Sequence, residues 1–104
     1  MNKEMLKGTI DLLILSLLLE KDNYGYEISR ELKERTEGAF IVQEATLYLS
    51  LKRLEKQGSI ESYWGSETQG GRRKYYRITS DGQERLQQIK QDWEQMASIV
   101  SKFT

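Results

Sequence analysis

Apolar positions along the chain fall into four helix-like stretches and one pair of short alternating runs. Residues 3–20 read as a first helix, apolar on more than one face from Ile10 to Leu19. Such a helix is buried on several sides, or lies in a partner as well as in its own core. KDN (21–23) offers Asp22 and Asn23 as helix starts. A second helix is predicted from about Tyr24 to Glu37, with Tyr24, Ile28 and Leu32 on one face and Gly38 as its C-cap. AFIV (39–42) reads as a short extended run. A third helix, about Glu44 to Gln57, sets Leu47, Leu51 and Leu54 at i, i+4, i+7 against the core. Its opposite face carries Ala45, Leu49, Lys52, Arg53 and Lys56, and Gly58 ends it.

SIESYW (59–64) and RRKYYRIT (72–79) are rich in Ile, Tyr and Trp and are joined by a glycine-containing loop, which predicts a β-hairpin. Strand parity puts Tyr76 and Ile78 on the core side, with Arg73, Tyr75 and Arg77 opposite. Ser80 and Gln83 form a capping box for a fourth helix. Its apolar residues Leu86, Ile89, Trp93, Met96, Val100 and Phe103 are spaced 3, 4, 3, 4, 3, an a/d seam. A seam on one side of a helix, with Gln, Lys, Asp and Glu on the other, calls for a partner. A symmetric homodimer is the default, two-fold dimers being the commonest oligomers. The order helix, helix, helix, hairpin, helix predicts a mainly α (α+β) winged helix-turn-helix, with the third helix in the recognition position. Residues 1–79 would form the DNA-binding domain and residues 80–104 a dimerisation helix.

Composition narrows the chemistry. The 104 residues are one domain's worth, 38% hydrophobic and 31% charged, as in soluble globular proteins. Cysteine and histidine are both absent, which removes disulfides, thiolate chemistry and the usual zinc and imidazole sites. No metal, cofactor or enzymatic activity is expected. LLILSLLL (12–19) is far short of a membrane span. As a signal peptide, its flank is interrupted by Glu4 and Asp11 with no small-residue cleavage site following. A cytoplasmic location is expected.

The 16 basic and 16 acidic residues cancel, but not locally. Residues 1–41 carry six basic and eight acidic groups, and residues 80–104 three and four. Residues 42–79 carry seven basic (Lys52, Arg53, Lys56, Arg72, Arg73, Lys74, Arg77) against four acidic. The only positive excess therefore lies in the two elements a winged helix presents to DNA. A local patch matters more than global charge, because phosphate contacts supply the salt-sensitive affinity. A helix fits the major groove and reads base edges there. Gly70 and Gly71 let a wing tip approach the sugar–phosphate chain closely. QGGRRK (69–74) lacks the phosphate-loop pattern and lies between strands, whereas a phosphate loop opens a helix. An alternative reading is a winged-helix adaptor that binds protein through the same face.

YGYEI (24–28), ATLYLSLKRLEKQGSI (45–60) and GGRRKYYRIT (70–79) together resemble the PadR family of bacterial winged-helix transcriptional regulators. The likeness is to its small subgroup with a single C-terminal helix, which includes a multidrug-sensing repressor. It implies a homodimer in which the fourth helix packs with the first helix of the partner, and repression of a nearby operon. It also implies contact with double-stranded operator DNA by Tyr48 and Lys52 of the third helix and by Arg72, Arg73 and Lys74 of the wing. Tyr24, Ala45, Thr46, Leu49, Arg53, Lys56, Gly70 and Gly71 complete the expected DNA face. In the multidrug sensor a tryptophan from each subunit flanks a central pore that takes planar aromatic effectors. Trp93 matches it, with Met5, Gly8, Leu12, Lys90 and Ala97 at other pore positions. Lys90 replaces an aromatic and Ala97 an acid, which should weaken affinity for flat cations. Trp93 reads equally as an ordinary seam residue. Gln43 is a poor N-cap, so the third helix should fray at its start. Leu49 points outward, as an exposed apolar residue or else as a contact to thymine methyl groups.

Overall fold

The computed structural model describes residues 3–66 and 71–104, the first four of these as helical backbone alone. Four helices and three short strands run in the order α1 (Lys3–Glu20), β1 (Asn23–Tyr24), α2 (Gly25–Arg35), α3 (Glu44–Lys56), β2 (Ile60–Trp64), β3 (Lys74–Ile78) and α4 (Ser80–Ser101). The fold is mainly helical, a winged helix-turn-helix with a long C-terminal helix.

The all-round apolar α1 is the axis of the core. Ile10, Ile14, Leu15 and Leu18 are almost fully buried, and the helix packs against α2, α3, α4 and β3. Ile28 and Leu32 of α2, Leu47, Leu51 and Leu54 of α3, Ile60, Tyr76 and Leu86 close around it. Tyr76 faces this core and Ile78 packs against it, as the strand parity requires.

Three expectations at element ends change. Asn23 does not cap α2. Its side chain accepts from the Tyr24 amide at 2.9 Å, and its backbone joins the sheet, where β1 pairs antiparallel with β3 (Asn23↔Tyr76, Tyr24↔Tyr75). The predicted hairpin is thus a three-stranded sheet of order β1-β3-β2, and Tyr24 is a strand residue outside the helix. α2 also stops two residues early. Glu37 (φ 53°) and Gly38 (φ 82°) both turn left-handed, and the Gly38 amide donates to the Lys33 carbonyl at 2.8 Å, a Schellman closure. The cap of α4 is Thr79, one residue before the expected Ser80. Its hydroxyl accepts from the Gly82 amide at 3.0 Å while donating to the Gly58 carbonyl at 2.6 Å. The Thr79 amide also donates to Ser59 O at 3.1 Å, so the last extended residue is tied to the α3–β2 turn and the helix must begin immediately after it. Gly82 permits this junction, since a Cβ there would overlap the Ser59 carbonyl and lie 2.8 Å from Ile78 Cγ1. At α3 no side chain caps the helix start at Gln43.

Candidate nucleic-acid interface

With Leu47, Ser50, Leu51 and Leu54 of α3 buried, its other side is left to solvent. Ala45, Leu49, Lys52 and Lys56 are exposed and Thr46 is half-buried. Tyr48 is also exposed, at the border between this face and α2.

Arg53 departs from the expectation. It turns back to form an ion pair with Asp11 of α1. The Asp11 side chain is only 8% exposed and that of Arg53 26%. Residue 53 sits beside Leu54 at the edge of the core stripe, so its long side chain reaches the α1–α3 seam as readily as solvent. A buried carboxylate there is costly without a cation. Arg53 accordingly serves the α1–α3 packing through this pair.

The cations of the wing are held in different ways. Arg77 pairs with Glu61 across the β2–β3 ladder at 2.6 Å, and both carboxylate attraction and hydrogen bonding hold it charged. Lys74 Nζ stands 4.0 Å from Glu55 and 5.7 Å from the Tyr76 ring centroid. Arg73 lies over the Tyr24 ring at 4.7 Å and Arg72 over Trp64 at 5.6 Å. Among the described residues, Lys52, Lys56, Arg72 and Arg73 have no carboxylate within ion-pairing distance. Gly71 is exposed and left-handed (φ 93°).

An aromatic layer stiffens the base of the wing. Tyr75 meets Tyr24 edge-on at 5.4 Å and stacks on Tyr63 at 5.8 Å. The Tyr63 hydroxyl donates to Asp22, a bond that raises its pKa above the usual phenol value. Burial, then Glu55 and Tyr48, do the same for Tyr76, so both phenols stay neutral in the physiological range.

Tyr24, Tyr26, Tyr48, Arg72, Arg73 and Lys74 converge on one cleft of about 390 Å³, floored by Gly25 and Tyr76. Sequence reasoning placed most of these residues on one surface but missed Tyr26, which is 69% exposed. Its only local signal was an aromatic on the polar side of α2.

On α4, Leu86 is buried and Ile89 half-buried, and the rest of the expected seam lies open. Trp93, Met96, Val100 and Phe103 are exposed, and so is Ile99, which the heptad spacing did not select. Gly8 and Leu12 are half-buried on α1, while Lys90 and Ala97 are exposed. Of the expected pore residues whose side chains are described, Lys90 borders the groove between α1 and α4 within one chain. Gly70 and the side chain of Met5 lie outside the described residues.

A solvent-facing helix in the recognition position, beside a wing whose Arg72 and Arg73 carry no acidic partner among the described residues, defines a winged helix-turn-helix DNA-binding protein. The comparisons with known proteins agree. The chain belongs to the transcriptional regulator PadR-like family, whose family model matches residues 14–88. It is 42% identical to a transcriptional regulator from Clostridium thermocellum, with a TM-score of 0.90 over 100% of this chain and 98% of the other. A PadR family transcription regulator from Clostridium difficile is 44% identical, with a TM-score of 0.81 over 90% and 96% of the two chains. An uncharacterised protein of Lysinibacillus sphaericus is 47% identical over 96% of this chain and 92% of its own length. The family consists of transcriptional regulators, not enzymes. Among the described residues no helix is long and apolar enough to cross a membrane.

Proposed function

We propose that the protein is a homodimeric transcriptional repressor that grips a pseudo-palindromic operator and is released by a small-molecule effector. The observation that carries this reading is the shared exposure of Lys52, Lys56, Arg72 and Arg73, unpaired among the described residues on α3 and the adjoining wing. Two such surfaces related by a two-fold axis suit half-sites about one helical turn apart. Tyr24, Ala45, Thr46, Tyr48, Leu49, Lys74 and Gly71 complete the contact set. Lys74 is a weaker contributor because Glu55 lies close to it.

Residues 80–104 serve dimerisation. Trp93, Met96, Ile99, Val100 and Phe103 place large apolar groups in water on one chain, and a contiguous patch of that kind marks an interface. Against the partner's α1 they would be covered. Trp93 at this interface is the residue suited to a planar aromatic effector. Release then requires that the ligand bind the DNA-incompetent arrangement more tightly than the competent one.

Fluorescence anisotropy with a duplex selected from a randomised pool tests the reading. Operator binding is expected to exceed random-duplex binding and to fall steeply with salt, and Lys52→Ala or Arg73→Ala to weaken it. An adaptor using this face for protein would show neither a salt slope nor a sequence preference. For the effector, planar dyes are titrated against tryptophan fluorescence, with Trp93→Ala as control because Trp64 also emits. Absence of quenching attributable to Trp93 leaves that residue to packing alone.

A further inference from the structure

Gly25 opens α2 with an ordinary helical backbone, so its φ requires no glycine. It is nevertheless buried, and the space above its Cα is filled by one side chain. A Cβ built on Gly25 would lie 2.7 Å from Tyr48 Cζ and 3.0 Å from Tyr48 Cε1, and would overlap the phenol oxygen. The contact to Cζ is shorter than real Cβ atoms show, so an alanine there and the ring in its present place exclude each other. Tyr48 is not a core residue, being 44% exposed. It borders the cleft that also presents Tyr24, Tyr26, Arg72, Arg73 and Lys74.

We infer that Gly25 is a positioning residue for DNA recognition. The missing side chain forms a seat across which the Tyr48 ring lies, and this seat fixes the direction from which α3 offers its aromatic to the groove. The Tyr48 ring is wide and rotates about only two side-chain bonds, so the helix alone does not fix its direction. With the seat filled, the ring has to swing out of the cleft toward solvent. The consequence is loss of one oriented contact per subunit without removal of any cation. This rests on the reading that α3 and the wing form the DNA face, and deepens it by assigning a specificity role to a residue that touches no DNA itself.

The experiment is a double-variant cycle on Gly25→Ala and Tyr48→Ala, with Lys52→Ala as the reference for the DNA face. Each protein is titrated against the selected duplex and a random duplex at several salt concentrations, and melted in parallel. Gly25→Ala, present in both subunits, is expected to weaken operator binding roughly a hundredfold, about tenfold for each of the two lost groove contacts. The operator-to-random ratio should fall with it, and the salt slope should stay unchanged because no phosphate contact is lost. In the Tyr48→Ala background the same substitution is expected to cause no further loss and no fall in melting temperature. Tyr48→Phe, which keeps the ring, should remain sensitive to Gly25→Ala.

Equal losses in the two backgrounds overturn the inference, since Gly25 then acts through something other than Tyr48. So does a Gly25→Ala variant that binds as the parent does. If Tyr48→Ala binds normally while Lys52→Ala is weakened, the DNA face stands and the seat is refuted. If Lys52→Ala also binds normally, the proposed function itself fails and the inference with it.

Discussion

Replacing Asp11 by alanine should unfold more stability than any surface change in the molecule. The Asp11 carboxylate, on the buried side of α1, is the partner of the Arg53 guanidinium on α3. The Arg53 Nε is itself buried without an acceptor, so the bond to Asp11 is the main compensation for placing that cation in the α1–α3 seam. Breaking a buried pair from one side costs about 3–5 kcal/mol. Arg53 keeps a quarter of its side-chain surface in water, which puts the expectation near the lower end, about 3 kcal/mol. For a domain of this size that is on the order of 15 °C in melting temperature. Urea denaturation followed by circular dichroism at fixed protein concentration measures it, the concentration being held because a dimer's stability depends on it. Asp11→Ala combined with Arg53→Met should recover much of the loss, since an apolar pair of similar volume often replaces a buried ion pair without penalty. A loss under about 1 kcal/mol for Asp11→Ala, the ceiling for an exposed pair, would refute the reasoning. So would a double variant no more stable than the single one.

Thr79→Ala removes the side-chain cap of α4 and its bond to the Gly58 carbonyl, with an expected loss of about 1 kcal/mol by the same denaturation assay. Gly82→Ala forces a Cβ against the Ser59 carbonyl and Ile78. Overpacking of this kind costs about 1–3 kcal/mol, read as a lowered urea midpoint with an unchanged slope. Val100→Glu places a charge in the exposed apolar face of α4. Sedimentation velocity is expected to show a shift from dimer to monomer, with the helical content retained.

Much of this architecture was legible in the residue pattern, for identifiable reasons. α1 carries a long apolar tract, and α3 carries leucines at helical spacing closed by Gly58, so both elements fall where the pattern put them. Alternation across KYYRI was enough to send Tyr76 inward and Tyr75 outward. What escaped the pattern depends on contacts between distant segments. β1 is two residues long and has no periodicity; it exists because β3 offers it an edge, and that pairing brings Tyr24 under Arg73. Arg53 lies at the border of the core stripe, and only the presence of Asp11 on the facing helix decides its direction. Ile99 falls outside an a/d register yet is exposed beside Met96 and Val100, because the open face of α4 is wider than a two-position seam. Tyr26 joins the cleft only once the wing folds back over the start of α2. The resemblance of YGYEI and the wing motif to the PadR family pointed to this surface, and residues 14–88 match the family model. The match to the family model assigns no contact to any single residue.

The central claim is that an electrically neutral chain binds operator DNA through a local cluster of cations. The most direct test is the slope of log K against log salt for the selected duplex. If Lys52, Lys56, Arg72 and Arg73 of both subunits each meet a phosphate, the eight contacts predict a slope of about −7. Lys52→Ala or Arg73→Ala, present in both subunits, should each make it shallower by about 2. A slope near zero, or variants that keep both the parent's slope and its affinity, would contradict the account.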